Sequence, residues 1–322
     1  MQEWDNFWTD FLNRERLNTK VKDLIELDAA YGKEKNIVDI CREIYANYPE
    51  EAKKQDDVRK KFLEEIDYIV HSHLQTSRIK SVSSLLRKVI IKKHEAYKSK
   101  TDPYKSLTDV NYQDIITDIT GVRVILSYRG DWASLHEKLL KEFPLKGEYQ
   151  PNKLFPHRDG EQFIAEQPKA YYARGDDISV YQKHDVLPVL HKKGYRSVHY
   201  TISYLNTYIE VQVRTIYDEA WSDVDHRYVY KQEAKPNNEA LRALSLSLCQ
   251  FTNLSDDIGG EMRTIFYSEE MSRVLKDNRW VVSKDCMEFF ASVLDRLDKC
   301  RNDFQNFYDR MALEGDSSQE KP

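Results

Sequence analysis

Within Gly194–Arg214, which reads GYRSVHYTISYLNTYIEVQVR, the residue types able to do chemistry fall at alternate positions. Tyr195 and His199 stand on one run, and Glu210, Gln212 and Arg214 on the next. A carboxylate, an imidazole, a phenol and a guanidinium on one surface can take up a proton, hold a cation and bind an anion. Two more groups lie upstream. Asp118 stands three residues before Gly121 and the apolar run Val122–Leu126. A carboxylate there is placed to hold Mg²⁺ beside substrate phosphates, although a lone Asp is more often a helix cap. Arg78, Lys80, Ser84 and Lys88 gather at a helix start. Hydroxyls, cations and unbonded N–H groups there suit phosphate oxygens, and an ordinary solvated basic face has the same composition.

The element that must position the first group is a β-hairpin. If Leu205-Asn206 is a two-residue loop, paired positions add to 411. Thr201 then faces Glu210, His199 faces Gln212 and Ser197 faces Arg214. On the other face Val198 meets Val213, Tyr200 meets Val211 and Ile202 meets Ile209. Polar and apolar residues separate onto opposite faces, as a side-chain period of two requires.

The rest of the chain is mostly helical in pattern. Trp4, Phe7, Trp8, Phe11 and Leu12 mark an amphipathic packing helix. Residues 20–48 continue as helix with a break at Tyr31-Gly32, and Asn47-Tyr48-Pro49 closes that part. Val58, Phe62, Ile66, Ile69 and Val70 mark a further helix ending near His71–Gln75; the histidines of HSH point apart there and make no metal site. Residues 112–127 read as a short helix or turn and then a strand, and 131–143 as a helix with Trp132, Leu135, Leu139 and Leu140 inward. Residues 145–193 are the least regular part. Their tyrosines (Tyr171, Tyr172, Tyr181) and cations (Lys169, Arg174, Lys183, Lys192, Lys193) suit stacked bases and phosphates as readily as a packed loop. Thr215-x-x-Asp218 opens a helix through Tyr230. Leu241, Leu244, Leu248 and Phe251 form a seam for another helix or subunit, or a lid on the core. Met287, Phe290, Leu294, Leu297, Phe304 and Met311 mark a last helix before a polar tail.

Composition sets the class. The net charge of -5 argues against a broad nucleic-acid-binding surface. Four scattered cysteines without C-x-x-C spacing argue against disulfides or zinc and fit a reducing cytoplasm. The N-terminus has no secretion pattern, and no apolar run approaches the roughly 18 residues of a membrane span. The expectation is a soluble cytoplasmic protein with no membrane partner.

Four blocks in order now resemble the RelA/SpoT-type synthetase domain, the family that makes (p)ppGpp alarmones. They are Arg78, Lys80, Ser84 and Lys88 (R-x-K-x-x-x-S-x-x-x-K); Asp118, Gly121 and Arg123 (D-x-x-G-x-R); Gly194 to His199 (G-Y-R-S-x-H); and Glu210, Gln212, Arg214 and Thr215, followed by Trp221, Asp225 and His226. The similarity covers roughly residues 55–231. It implies an α+β fold, a nucleotidyltransferase-like mixed sheet flanked by helices. The divisions are 1–54, an N-terminal helical extension; 55–231, the synthetase domain; 232–313, a C-terminal helical region; and 314–322, a disordered tail.

The resemblance implies a pyrophosphokinase that moves the β,γ-diphosphate of ATP to the 3′-hydroxyl of GDP or GTP. Arg78, Lys80, Ser84 and Lys88 would bind ATP, and Asp118 and Glu210 would hold Mg²⁺, with Glu210 also the base. Tyr195 would stack on the acceptor base, with Lys169, His199, Gln212 and Arg214 lining that side. Two departures stand out. Many members pass almost at once from Pro-Lys to Asn-Gly-Tyr-Arg-Ser, whereas here residues 170–193 intervene between Lys169 and Gly194; Asp225 also replaces the more usual Glu. No H…HD…D hydrolase pattern is present, so the expectation is a synthetase without its own hydrolase. The insertion keeps two alternatives in view: a toxin-like relative that pyrophosphorylates the 3′ end of tRNA, with an antitoxin as partner, and a nucleotide-binding module without turnover. The 241–251 seam adds a homo-oligomer to the partners considered.

Overall fold

The computed structural model describes residues 2–70, 72–99, 102–147, 154–229 and 238–274, with the isolated positions 292, 295 and 302. In chain order the elements are α1 (Gln2–Glu15), α2 (Asn18–Ala30), α3 (Ile37–Ile69), β1 (Leu74–Ile79), α4 (Val82–Ala96), α5 (Tyr112–Ile115), β2 (Thr120–Leu126), α6 (Trp132–Glu142), β3 (Phe163–Ile164), β4 (Lys169–Tyr172), α7 (Ser179–Gln182), β5 (Leu187–Leu190), β6 (Ser197–Tyr204), β7 (Thr207–Thr215), α8 (Ile216–Tyr228) and α9 (Asn238–Val274). The sheet order is β1-β2-β7-β6-β4-β5, with β3 also on β6. The β2–β7 and β4–β5 pairs are parallel and the others antiparallel. This is the expected α+β arrangement, a mixed open sheet flanked by helices.

The hairpin register is the one the alternation dictates: Val198 pairs with Val213, His199 with Gln212, Tyr200 with Val211, Thr201 with Glu210 and Ile202 with Ile209. Leu205 and Asn206 both take positive φ (46° and 57°), the left-handed pair that closes a two-residue hairpin with the right twist. The six apolar residues of the inner face are all buried, each contributing roughly 1.5–3 kcal/mol by leaving water. They rest on Phe62 and Ile66 of α3 and on Trp132, Leu135 and Leu139 of α6.

A second apolar cluster joins α1, α2, the first half of α3 and α4. Trp4 and Phe11 are buried in it and Trp4 stacks on Trp8, so the N-terminal aromatics pack as expected. Pro49 does not close the helix; it lies inside α3. Apolar residues on both sides of it are buried, from Ile40 and Ile44 to Phe62 and Ile66. That continuous packing outweighs the roughly 3 kcal/mol that an interior proline costs. The division at 54/55 therefore falls within one helix. The N-terminal helices form a single body with α4.

Strand β1 was not legible, because its burial alternates weakly and Leu74 is half exposed, as on a sheet edge. The irregular stretch is more ordered than its prolines imply: β4 and β5 extend the sheet beyond β6. Thr215 caps α8, its Oγ accepting from Asp218 N at 3.2 Å. α9 docks through Ser245, Cys249, Asn253, Leu254 and Asp256, while Leu241, Leu244 and Phe251 are exposed. The leucine seam thus does not close over the core; the opposite, mostly polar side does. His71, Pro151, Tyr230, residues 236–237, the Met287–Met311 pattern and the tail lie outside the described residues. Among the described residues no helix is long and apolar enough to cross a membrane.

Candidate active site

The sheet register sets residues of the first, second and fourth sequence blocks in one row. Arg78 on β1 pairs with Gly121 on β2, Gly121 with Glu210 on β7, and Glu210 with Thr201 on β6. Over this row opens a cleft of ≈ 200 Å³, lined by Arg78, Asp118, Gly121, Arg123, Glu210 and Gln212 with Thr76, Ser77 and Val122. Gly121 is its floor. A Cβ there would meet the Arg78 side chain at an ordinary 3.8 Å, so glycine is not required by crowding. What it provides is open space between Arg78 and Glu210.

At one end of the row Asp118 sits between two lysines, with Lys80 Nζ 2.9 Å from Oδ2 and Lys88 Nζ 2.9 Å from Oδ1. Lys80 is in the turn before α4, and Lys88 comes from that helix. Burial pulls Lys88 down, but Asp118 outweighs it and the ammonium titrates above its ordinary value. Ser81 caps α4 by accepting from Ser84 N and also donates to Ser84 Oγ at 2.9 Å. Ser84 is therefore in the first turn of the helix rather than in the wall of the cleft. Arg123 is held by Glu219 at 2.7 Å.

On the hairpin face five side chains close a ring. Arg214 Nη2 donates to Tyr195 Oη and to Gln212 Oε1, both at 2.6 Å. Tyr195 Oη lies 2.9 Å from His199 Nε2, and His199 Nδ1 lies 3.4 Å from Glu210 Oε1. Gln212 Nε2 donates to Glu210 Oε2 at 2.6 Å. A phenol that accepts from Arg214 donates onward to Nε2, which leaves Nδ1–H for Glu210. Burial pushes the Glu210 carboxyl up, but His199, Gln212 and the Lys88 charge outweigh it and hold it at about 2. The ammonium beside Asp118 thus also reaches Glu210. Asp118, Lys88 and Glu210 form one electrostatic unit. Lys169 pairs in register with His199 and is bonded to Glu166.

Several of these partners carried no sequence signal. Glu219 bridges Arg123 and Arg214 from the first turn of α8, where an acidic residue is also ordinary helix chemistry. Tyr104, in the turn Pro103–Ser106, hydrogen-bonds Lys88. Two of the insertion tyrosines part company: Tyr181 is buried in the core, whereas Tyr171 packs 4.7 Å from His199 and 5.7 Å from Tyr195. Trp221 and Asp225 do not face the cleft; they hold Ser245 of α9 at 2.8 and 2.6 Å.

The carboxylates suit a hard divalent ion. Among the described residues no cluster of three or more His, Cys, Asp or Glu is arranged for a metal. Mg²⁺, however, needs only one or two carboxylates when phosphate oxygens and water complete its shell. Asp118 and Glu210 in one cleft, the latter held firmly ionised, meet that requirement.

The fold is a mixed α+β sheet whose cleft combines two carboxylates with two arginines, and two lysines pair with one of those carboxylates. Residues 77–235 match the family described as the region found in RelA / SpoT proteins. Solved structures similar to the chain include a GTP pyrophosphokinase family protein from Streptococcus pneumoniae (19% identity, 73% of this chain and 94% of that one, TM-score 0.38). Two more are the small alarmone synthetase 2 of Bacillus subtilis (19%, 69% and 99%, 0.42) and its small alarmone synthetase 1 bound to its product pppGpp (20%, 68% and 92%, 0.38). No curated protein matches the chain.

Proposed function

We propose that the protein is a pyrophosphokinase that transfers the β,γ-diphosphate of ATP to the 3′-hydroxyl of GDP or GTP. The observation that carries this is the shared cleft of Asp118 and Glu210, bounded by Arg78 and Arg123. In the reaction the acceptor oxygen bonds to the β-phosphorus and the bond from that phosphorus to the α,β-bridging oxygen breaks. AMP leaves with that oxygen, and the hydroxyl proton passes to a base. Such transfer depends on alignment and charge neutralisation more than on covalent help. Arg78, Lys80 and Lys88 bind the donor, and the N-terminus of α4 adds N–H donors. Asp118 and Glu210 would hold Mg²⁺, which supplies neutralisation of the phosphate charge.

On the other side Tyr195 stacks the acceptor base. Arg214 lies 4.8 Å over its ring, so the base takes the opposite ring face. Glu210 takes the proton. In the ligand-free protein a carboxyl held at about 2 is a weak base. Substrate phosphates drawing Lys88 toward themselves raise its proton affinity, and the contact with His199 gives the proton an outlet.

The test is to supply ATP labelled in its γ-phosphate with Mg²⁺ and GDP, GTP or deacylated tRNA, and to resolve the labelled products. Label in a guanosine nucleotide supports the proposal. Label confined to tRNA, or ATP binding without transfer to any acceptor, refutes it in favour of the toxin-like reading or the binding module respectively.

A further inference from the structure

Arg196 follows Tyr195, and the alternation of an extended chain turns it away from the cleft. Its side chain is 9% exposed, and none of its contacts belongs to the chemistry above. Nε and Nη2 donate to the two oxygens of Asp176 at 2.7 and 2.8 Å, a bidentate pair. Nη1 donates to Gly194 O at 3.4 Å and to Cys249 Sγ of α9 at 3.0 Å. Asp176 also accepts from Ala173 N at 2.7 Å, closing the turn that leaves β4. The Cys249 thiol donates to Gly194 O at 3.3 Å. Gly194 has φ of +89°, and a Cβ there would lie 2.6 Å from Sγ. The turn after β4, the entry to β6 and the middle of α9 therefore meet on one guanidinium. The void beside them is only ≈ 30 Å³, room for water and not for a nucleotide. The cluster is a joint, not a pocket.

We infer that Arg196 is a positioning residue for the acceptor half of the site. By tying Asp176 and Cys249 to the backbone at Gly194, it fixes Tyr195 and Tyr171 against His199. Both tyrosines are one step from the joint: Tyr195 adjoins Arg196, and Tyr171 lies on β4 just before the Ala173–Asp176 turn. The donor residues stand on β1, on α4 and before β2, and none of them touches Arg196. The joint acts on acceptor affinity and leaves ATP binding alone. It also gives the insertion a role, since Asp176 is part of it. This rests on the pyrophosphokinase reading for its kinetic half only.

The experiment uses the full chain carrying Asp176→Asn or Arg196→Lys. Steady-state KM for GDP or GTP, KM for ATP and kcat are measured, together with amide hydrogen exchange over 194–199 and, as control, 74–79. Asp176→Asn is expected to raise the acceptor KM about tenfold, with the ATP KM within about twofold. Exchange should speed up at 194–199 and not at 74–79. Arg196→Lys keeps the charge without the fork and should fall between wild type and Asp176→Asn. Should Asp176→Asn not fold, Cys249→Ala carries the same measurements. Equal rises in both KM values, or unchanged exchange at 194–199, overturn the inference. If the wild-type protein labels no guanosine nucleotide, the pyrophosphokinase reading fails, while the exchange data still decide whether the joint holds the strand.

Discussion

Glu210→Gln is the substitution that probes the site most directly. The fold lowers the Glu210 carboxyl from 4.5 to about 2, which at about 1.4 kcal/mol per unit favours its anion over its acid by roughly 3 kcal/mol. The folded value lies below the ordinary one, so this contribution is present above pH 4.5 and is lost as pH falls toward 2. At neutral pH glutamine keeps the shape and the Gln212 contact but removes the anion that faces His199, while Lys88 keeps its ion pair with Asp118. Loss of the base costs roughly 10²–10⁴-fold, and loss of one of the two carboxylates that would hold Mg²⁺ adds to it. Transfer from labelled ATP should therefore fall by more than about 10³-fold. Calorimetric binding of a non-hydrolysable ATP analogue without metal should stay within about threefold of wild type, because Arg78 and Lys80 are untouched. Turnover within tenfold of wild type would refute the role assigned to Glu210.

Three further outcomes follow from the same geometry. Tyr195→Ala and Tyr171→Ala should each raise the acceptor KM about tenfold with the ATP KM unchanged; if only the first does so, Tyr171 is a packing residue. Gly121→Val should leave the unfolding midpoint within about 2 °C but weaken ATP binding at least tenfold, by filling the space between Arg78 and Glu210; unchanged affinity would place the donor elsewhere. Burial lifts the Asp256 carboxyl from 3.8 to about 6 against the pull of Arg129. Its stabilising contribution is therefore complete below pH 3.8 and is lost as pH rises through 6. Asp256→Asn, which still accepts from Arg129 N, should gain about 1.4 kcal/mol on wild type in urea unfolding between pH 5 and pH 7.5; a constant difference would refute the assignment.

The sequence reading was strongest where one local rule acts. Period-two alternation and the Leu205-Asn206 loop gave the hairpin to the residue, and with it the shared face of Tyr195, His199, Glu210, Gln212 and Arg214. The donor block was legible because its residues crowd a helix start. What alternation could not give was partnership between distant segments. Glu219 looks like ordinary helix acid until Arg123 and Arg214 are both beside it. Pro49 reads as a stop until the packing on either side is known. Arg196 belongs to a recognised block, yet its partner Asp176 lies in the insertion, where no pattern points to it. The insertion looked irregular because its strands are only four residues long and β5 contains a proline, which an edge strand tolerates.

The parallel pairing of β2 with β7 also bears on how the site comes into being. The hairpin β6–β7 can form from its own residues, because its two strands are adjacent in sequence. Asp118 and Glu210 meet only when β7 finds β2, and the entire segment from α6 to β6 must first be looped out. Such contacts carry a loop-closure cost and come late in folding. The cleft is thus among the last features to assemble. A chain still emerging from synthesis, with β7 not yet exposed, holds its lysines and Asp118 ready but has no second carboxylate.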